Sequence, residues 1–600
     1  MVVTPHPMAT GAGVEALRAG GSAVDAAVAA NAMLAVVYCN ACGLGGDAFA
    51  LIWDPAEQHL YGFNGSGRSP AALTISGVRH AGHDEMPARG PLPITVPGAV
   101  DAWVQLLNRF GHRSLADALL PAAATADDGY TLTAINARAI AAALPGFDEA
   151  ARAIFGPASG AGKTFRQPLL ATTLRAIADG GRDAYYGGPI GDEIARAIQD
   201  AGGVMTASDI AEHRGDWVEP VSTRYRDIEV ATIPPNSQGI TALMALNVLS
   251  ALDWPMGAPL SADRLHAQIE AVKVAWSERD RCFADPDRGL ADSSVLLSPE
   301  HAGWLASRLS PDEAHRYEPT NRPGGGTVYL CAADADGMMV SLIESNYMGF
   351  GSGVMGGSTG IMLQNRGAYF SLDPAHPNAL APRSRTLHTL MPGMILRDGV
   401  AEVAFGAMGG DGQPQTMVQL VQGLVDDGLD PQATVDRPRF VVETEAAGAP
   451  LAPVKIESDG VDAAVVAALE ARGHEVSLVE PKTPVMGWAQ MIRRLPDGSY
   501  EGGADPRADS RAAGMGYQCP VCGYTDLHEL PRSSEEGGSH EICPSCGFQF
   551  GVTDDDARFS YGQWRKRWIR TGMRWRGGDI SPPPGWNPEA QLRSLGEAYD

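Results

Sequence analysis

Three glycines set directly before a threonine, followed by two short apolar runs and a tight turn, constrain this chain more than any other feature. The stretch is Gly324-Gly325-Gly326-Thr327, with a polar, proline-bearing lead-in from Ser310 to Pro323. Thr327-Val328-Tyr329-Leu330-Cys331-Ala332-Ala333 reads as a strand, Ala335-Asp336-Gly337 as its turn, and Met338 to Ile343 as the return strand. Glycine permits twisted backbone conformations closed to other residues. The Thr327 hydroxyl can therefore reach the carbonyl of Gly326, its own preceding residue. If the ester so formed hydrolyses, the chain parts there and Thr327 gains a free amine of unperturbed pKa about 7.7–8.0. Such an amine can act as general base for the hydroxyl beside it. The same pattern also fits an ordinary glycine-rich loop ahead of a strand, so the rest of the chain has to decide.

Six hundred residues exceed one typical core, and at least two folding units are expected. A formal net charge of −25 argues against general nucleic-acid binding and for a self-repelling surface. The start, Met1-Val2-Val3-Thr4-Pro5-His6-Pro7, has neither the basic residues nor the apolar stretch of a secretory leader. No run approaches the roughly 18–20 apolar residues of a membrane span. The expectation is a cytoplasmic protein with no membrane partner.

Along the chain, residues 8 to 36 read as one helix rich in small residues. Phe49 to Trp53 and His59 to Phe63 read as strands about the turn at Asp54-Pro55. Helices are expected near 100–110, 189–202, 239–252 and 261–282, with a strand pair between Val221 and Ile233. After Thr327 the pattern is strand-rich, with helices near 414–427 and 460–473 and strands near 475–480 and 487–495. Segregated helices and strands indicate a layered α+β fold rather than alternating βαβ units.

Composition changes near Arg511-Ala512-Ala513-Gly514. Beyond it, Cys519-Pro520-Val521-Cys522 and Cys543-Pro544-Ser545-Cys546 stand about twenty residues apart, each followed by a glycine. That spacing is of the zinc-ribbon type, in which two thiolate pairs hold one tetrahedral ion. Residues 514–600 thus form a candidate zinc module, with Cys519, Cys522, Cys543 and Cys546 as its ligands. The basic and aromatic run Trp564-Arg565-Lys566-Arg567-Trp568 can stack on single-stranded nucleic acid. The simpler reading is a helix whose tryptophans pack on the ribbon, so a nucleic-acid partner is not expected. Cys39, Cys42 and Cys331 read as buried small thiols.

A resemblance covers most of the chain. The segments Ala19-Gly20-Gly21-Ser22-Ala23-Val24-Asp25, Gly43-Leu44-Gly45-Gly46-Asp47, Thr95-Val96-Pro97-Gly98-Ala99, Pro234-Pro235-Asn236-Ser237-Gln238-Gly239 and Phe283-Ala284-Asp285-Pro286 precede the Thr327 hairpin. Gly349-Phe350-Gly351-Ser352-Gly353, Gly406-Ala407-Met408-Gly409-Gly410 and Gly503-Ala504-Asp505-Pro506-Arg507 follow it. In this order and spacing, residues 1 to about 513 resemble the gamma-glutamyltransferase (gamma-glutamyl transpeptidase) family. The resemblance implies the four-layer αββα sandwich of N-terminal nucleophile hydrolases. It also implies a large fragment 1–326 and a small fragment 327–513 that associate as a processed heterodimer, with further oligomerisation left open.

Residue by residue, the resemblance makes Thr327 the nucleophile, Gly326–Thr327 the cleavage site, and Gly409 and Gly410 the oxyanion donors. Ser345 stands where the family has a threonine that assists the nucleophile. Arg68 matches the arginine that binds the glutamyl α-carboxylate, for which a guanidinium fork is suited. The pocket then departs from the family. Tyr347 and Tyr369 replace an asparagine and an aspartate that hold the α-amino group, Arg366 replaces a glutamine, and His388-Thr389 replaces a serine pair. Losing the acidic partner weakens selection for an ammonium, and Arg366 can favour a second carboxylate.

The implied activity is transfer or hydrolysis of the γ-glutamyl group of glutathione or related amides through an acyl-threonine, to water or an amine, with no catalytic cofactor. Two alternatives stand beside it. One is a glutaryl-type cephalosporin acylase. The other is a non-enzymatic metal- or nucleic-acid-binding protein dominated by residues 514–600.

Overall fold

The strand that begins with the expected cleavage-site residues, Gly326–Ala333, is buried along its whole length, because it lies inside a sheet covered on both faces. The computed structural model describes all residues except 158–159, 289–291, 316–325, 443–452, 515, 517–518, 525, 528–530, 534–536, 579, 584–585, 594 and 596–600. Gly324, Gly325 and most of the polar lead-in therefore lie outside the described residues. The chain divides into two compact units, Met1–Ala513 and Gly514–Asp600.

Among the described residues, the first unit holds a seven-stranded and a six-stranded sheet. The first runs in the order Arg511–Ala513, Val2–Thr4, Gly326–Ala333, Met339–Tyr347, Asp47–Asp54, His59–Asn64 and Asp216–Val218. The second runs Tyr500–Ala504, Trp488–Arg494, Val400–Met408, Gly393–Arg397, Ile228–Thr232 and Val221–Tyr225. Side chains alternate across a strand, and the packing follows that alternation. Val328, Leu330, Val340 and Leu342 pack with Val28, Leu34 and Trp103 of helices on the outer face. Tyr329, Cys331, Ile343 and Phe49 pack with Ala231, Met394 and Ala404 of the other sheet. Val403 and Phe405, in turn, pack with Leu243, Trp276 and Met417 of helices beyond it. Helix, sheet, sheet, helix is the αββα sandwich.

The expected helix over residues 8 to 36 is in fact two, Pro7–Arg18 and Ala23–Val37. Gly20 adopts φ +83°, and Ser22 then caps the second helix, exchanging hydrogen bonds with Asp25 in a capping box. Small-residue periodicity runs straight through such a junction, so the caps carried the missing information. The other expected elements are present within a few residues, for instance Gly239–Ala251, Ala262–Cys282 and Gln413–Val425.

In the second unit, the two Cys-x-x-Cys segments form matching turns. Gly523 N–H donates to Cys519 O and Gly547 N–H to Cys543 O, both at 2.8 Å, with φ of +78° and +72° at these glycines. Trp568 is buried, and the Trp564 indole N–H donates to Cys546 O at 3.1 Å. The tryptophans of the helix Tyr561–Arg570 therefore pack on the ribbon.

Candidate active site

The Thr327 hydroxyl donates to Ser345 Oγ at 3.1 Å, and the Ser345 hydroxyl donates to the carbonyl oxygen of Gly326 in a short hydrogen bond. The Tyr347 N–H also donates to Ser345 Oγ, at 2.7 Å. One hydroxyl thus accepts from the expected nucleophile while donating to the carbonyl that this nucleophile would attack. A bulge makes this possible. The hairpin register runs regularly to Glu344↔Val328 and then shifts, pairing Tyr347 with Gly326. Tyr347 carries φ +74°, a conformation that a bulky side chain seldom adopts and that re-aims the strand end.

Across the next strand, Asp47 pairs in register with Ser345. Asp47 is buried and collects donors from four directions. Gly67 N–H, Gly98 N–H and Gln364 Nε2 reach Oδ1 at 3.0, 3.1 and 2.9 Å, and His388 Nε2 lies 3.1 Å from Oδ2. Burial pushes its carboxyl up to about 6, with Gln364 and Arg366 acting in the opposite direction. Burial holds the His388 imidazole well below its ordinary value, reinforced by Arg366 and Arg385. Leu390 N–H donates to His388 Nδ1, which leaves Nε2 to carry the proton toward Asp47.

The strand Val400–Met408 crosses over Thr327's strand closely enough that a Cβ on Gly406 would stand 2.5 Å from the Tyr329 ring. At its end Gly409 and Gly410 take φ of +141° and +55°, conformations open to glycine. Gln238 Nε2 donates to Gly410 O and to Thr389 O, each at 2.9 Å. Arg279 Nη1 donates to Gln238 Oε1 at 2.7 Å and to Asp411 Oδ1 at 2.6 Å. The Tyr369 hydroxyl donates to Asp411 Oδ2 at 2.5 Å. The glycine pair is thereby tied to the residues expected to line the pocket.

Those residues do come together. The Tyr347 and Tyr369 rings lie 5.0 Å apart, and the Arg366 guanidinium sits 4.3 Å above the Tyr347 ring and 5.9 Å from Tyr369. Arg366 Nη1 donates to Thr389 Oγ1 at 2.9 Å. The Arg68 side chain has its own partners. It is part-exposed, pairs with Asp287 at 3.3 Å, and lines a cavity of about 270 Å³ with Asp209, Glu212, His213 and Arg383.

Asp47, Gln238, Arg279 and Asp411 were not among the residues singled out as site residues. Asp47, Gln238 and Asp411 sit within or beside the glycine-rich matching segments, and a polar residue kept inside such a segment was the available signal. Arg279, on an outer helix, carried none.

The four cysteine sulfurs of the second unit lie within 4.8 Å of one another, with Cys519 and Cys546 3.8 Å apart and Cys522 and Cys543 3.6 Å apart. A disulfide needs about 2.05 Å. A tetrahedron of sulfurs about 2.3 Å from one ion has edges near 3.8 Å. The cluster therefore fits a metal ion and not a pair of disulfides.

Residues 9–515 match the family described as Gamma-glutamyltranspeptidase. The chain belongs to that family. It is 39% identical to the "Glutathione hydrolase-like YwrD proenzyme" of Bacillus subtilis, over 86% of this chain and 98% of that protein. It is 37% identical to the "Oxamate amidohydrolase proenzyme" of Klebsiella pneumoniae, again over 86% and 98%. Among solved structures it superposes on the cephalosporin acylase from Bacillus halodurans with a TM-score of 0.79 and 38% identity, covering 86% and 95% of the two chains. This gamma-glutamyltranspeptidase family member is accordingly an N-terminal nucleophile hydrolase or transferase.

Proposed function

We propose that the chain cuts itself between Gly326 and Thr327 and then hydrolyses γ-glutamyl amides, of glutathione or a related compound, through an acyl-Thr327 ester. The hydrogen-bonded chain from Thr327 through Ser345 to Gly326 O carries this reading. In self-cleavage, Thr327 Oγ bonds to the Gly326 carbonyl carbon. Its proton passes to Ser345 as the Ser345 proton passes to the carbonyl oxygen. The C–N bond then breaks with protonation of the Thr327 nitrogen, leaving an ester that water hydrolyses. In turnover the freed amine takes the hydroxyl proton, Thr327 Oγ attacks the donor amide, and the amine returns the proton to the leaving nitrogen. The N–H groups of Gly409 and Gly410 are the oxyanion donors in this reading, and Arg68 and the Arg366 group bind the acyl chain. Water or an amine then takes the acyl group.

The cephalosporin acylase and oxamate amidohydrolase relatives, together with the tyrosines at the amino-group positions, favour a second reading. In it the donor is a dicarboxylic monoamide that lacks the α-amino group. The fragments 1–326 and 327–513 form the working heterodimer, the cytoplasm is its compartment, and residues 514–600 hold a structural zinc ion. Trp564 and Trp568 are engaged in packing, which leaves their faces poorly placed for stacking on nucleic acid.

Purified protein incubated at neutral pH and run on a denaturing gel tests the reading, with γ-glutamyl and glutaryl anilides as donors. Two fragments and release of the aniline are expected, both absent from Thr327→Ala. A wild type that stays uncut and inactive toward both donors would remove it.

A further inference from the structure

Among the described residues of the first unit, three arginines are less than 2% exposed: Arg279, Arg366 and Arg439. Arg279 pairs with Asp411 and Asp280, and Arg439 with Asp505. Among the described residues, Arg366 has no carboxylate within ion-pair distance, and only its Nη1 is hydrogen-bonded. Nε and Nη2 are buried without a partner. These two nitrogens carry the parallel N–H bonds of one guanidinium edge, the edge that matches both oxygens of a carboxylate.

The nearest acids do not supply that anion. Asp411 spends its oxygens on Arg279 and the Tyr369 hydroxyl, and Asp47 spends its own on three N–H donors and His388. A buried cation with an unused fork is costly unless something fills it. The Tyr347 face offsets part of that cost. Tyr347 is also the residue whose N–H holds Ser345, so the unfilled fork is joined to the nucleophile by one short piece of backbone.

We propose that Arg366 is the specificity-determining residue of the donor site and that its Nε–Nη2 edge takes a carboxylate carried on the acyl chain. The fitting donors are monoamides of dicarboxylic acids. An ammonium beside that carboxylate finds no free acid here, because the oxygens of Asp47 and Asp411 are taken. An α-amino group therefore adds nothing to binding, and the carboxylate supplies the selection. This inference rests on Thr327 being the acylated nucleophile.

The test compares glutaryl, γ-glutamyl and butyryl p-nitroanilides with processed wild type, Arg366→Gln, Arg366→Lys and Arg68→Gln. Wild type should show a KM for the glutaryl donor at least about tenfold below that for butyryl, as one charge-assisted fork provides. γ-Glutamyl should bind no better than glutaryl. Arg366→Gln should level the glutaryl and butyryl KM values, and Arg366→Lys should restore part of the difference. A difference that survives Arg366→Gln and disappears in Arg68→Gln would overturn the proposal, as would a γ-glutamyl KM tenfold below glutaryl.

Free glutarate gives a readout independent of turnover and of any variant's folding. It should raise the melting temperature of processed wild type where neutral glutaramide does not. Equal effects of the two would overturn the carboxylate site. Stabilisation by glutarate with no donor turned over would keep the carboxylate site and reject the acyl-threonine reading.

Discussion

Ser345 is the residue on which the proposed self-cleavage turns, because one hydroxyl accepts from Thr327 and donates to the Gly326 carbonyl. Ser345→Ala removes both actions and leaves the Tyr347 N–H without its acceptor. Cleavage should slow by about 10²–10³, the usual cost of a lost donor to a developing oxyanion, and Ser345→Thr should retain most of it. Fragment appearance over time on a denaturing gel measures both. The neighbouring Glu344 points to the helical side of the sheet, where Gly43 N–H and Asn31 Nδ2 reach it at 2.7 and 2.8 Å. Burial pushes its carboxyl from the ordinary 4.5 up to about 8. The folded protein therefore holds a proton that the unfolded chain has released, and stability falls as pH rises between those values. Relative to Glu344→Gln, wild type should lose roughly 1–2 kcal/mol between pH 6.5 and 8. Urea unfolding at the two pH values gives the comparison. An unchanged difference would mean that Glu344 is ionised throughout.

The hairpin from Thr327 was legible because a run apolar on both faces, a turn at Asp336-Gly337 and a second apolar run leave little other choice. Its bulge was not. The shift between Glu344 and Tyr347 depends on hydrogen bonds to Ser345 Oγ, which no local pattern reports. The same limit applies to the first helices, where Ser22 and Asp25 end a continuity that composition suggests. Ser22→Ala should cost about 1 kcal/mol in global unfolding. Sheet-to-sheet packing lies still further from the sequence. Gly406 looks like part of a flexible glycine run, yet it is a point where the two sheets approach closely around the Tyr329 ring. Gly406→Ala forces a methyl to 2.5 Å from that ring and should destabilise the protein by about 1–3 kcal/mol, read as a lowered denaturation midpoint. Arg366, Tyr347, Tyr369 and Thr389 were legible one at a time through the family resemblance. Their assembly around an unfilled guanidinium edge required the fold.

At the scale of the whole molecule, the chain joins a large enzyme unit to a small cysteine-rich one, and the join at Ala513–Gly514 falls where the composition changes. In the small unit Val521, Leu527, Phe548, Phe550 and Trp568 pack around the four cysteines, so an ion bound at that cluster should supply much of its stability. Treatment with a strong chelator should abolish its calorimetric transition while the transition of the enzyme unit stays in place. Elemental analysis of untreated protein should return about one zinc per chain. The central claim concerns the larger unit, in which breaking one peptide bond creates the catalytic amine. N-terminal sequencing of the smaller fragment, sampled alongside amidase activity during incubation of freshly purified protein, tests it most directly. The fragment should begin at Thr327 and accumulate in step with activity, with neither appearing in Thr327→Ala. Full activity from protein whose Gly326–Thr327 bond is still intact would contradict the account.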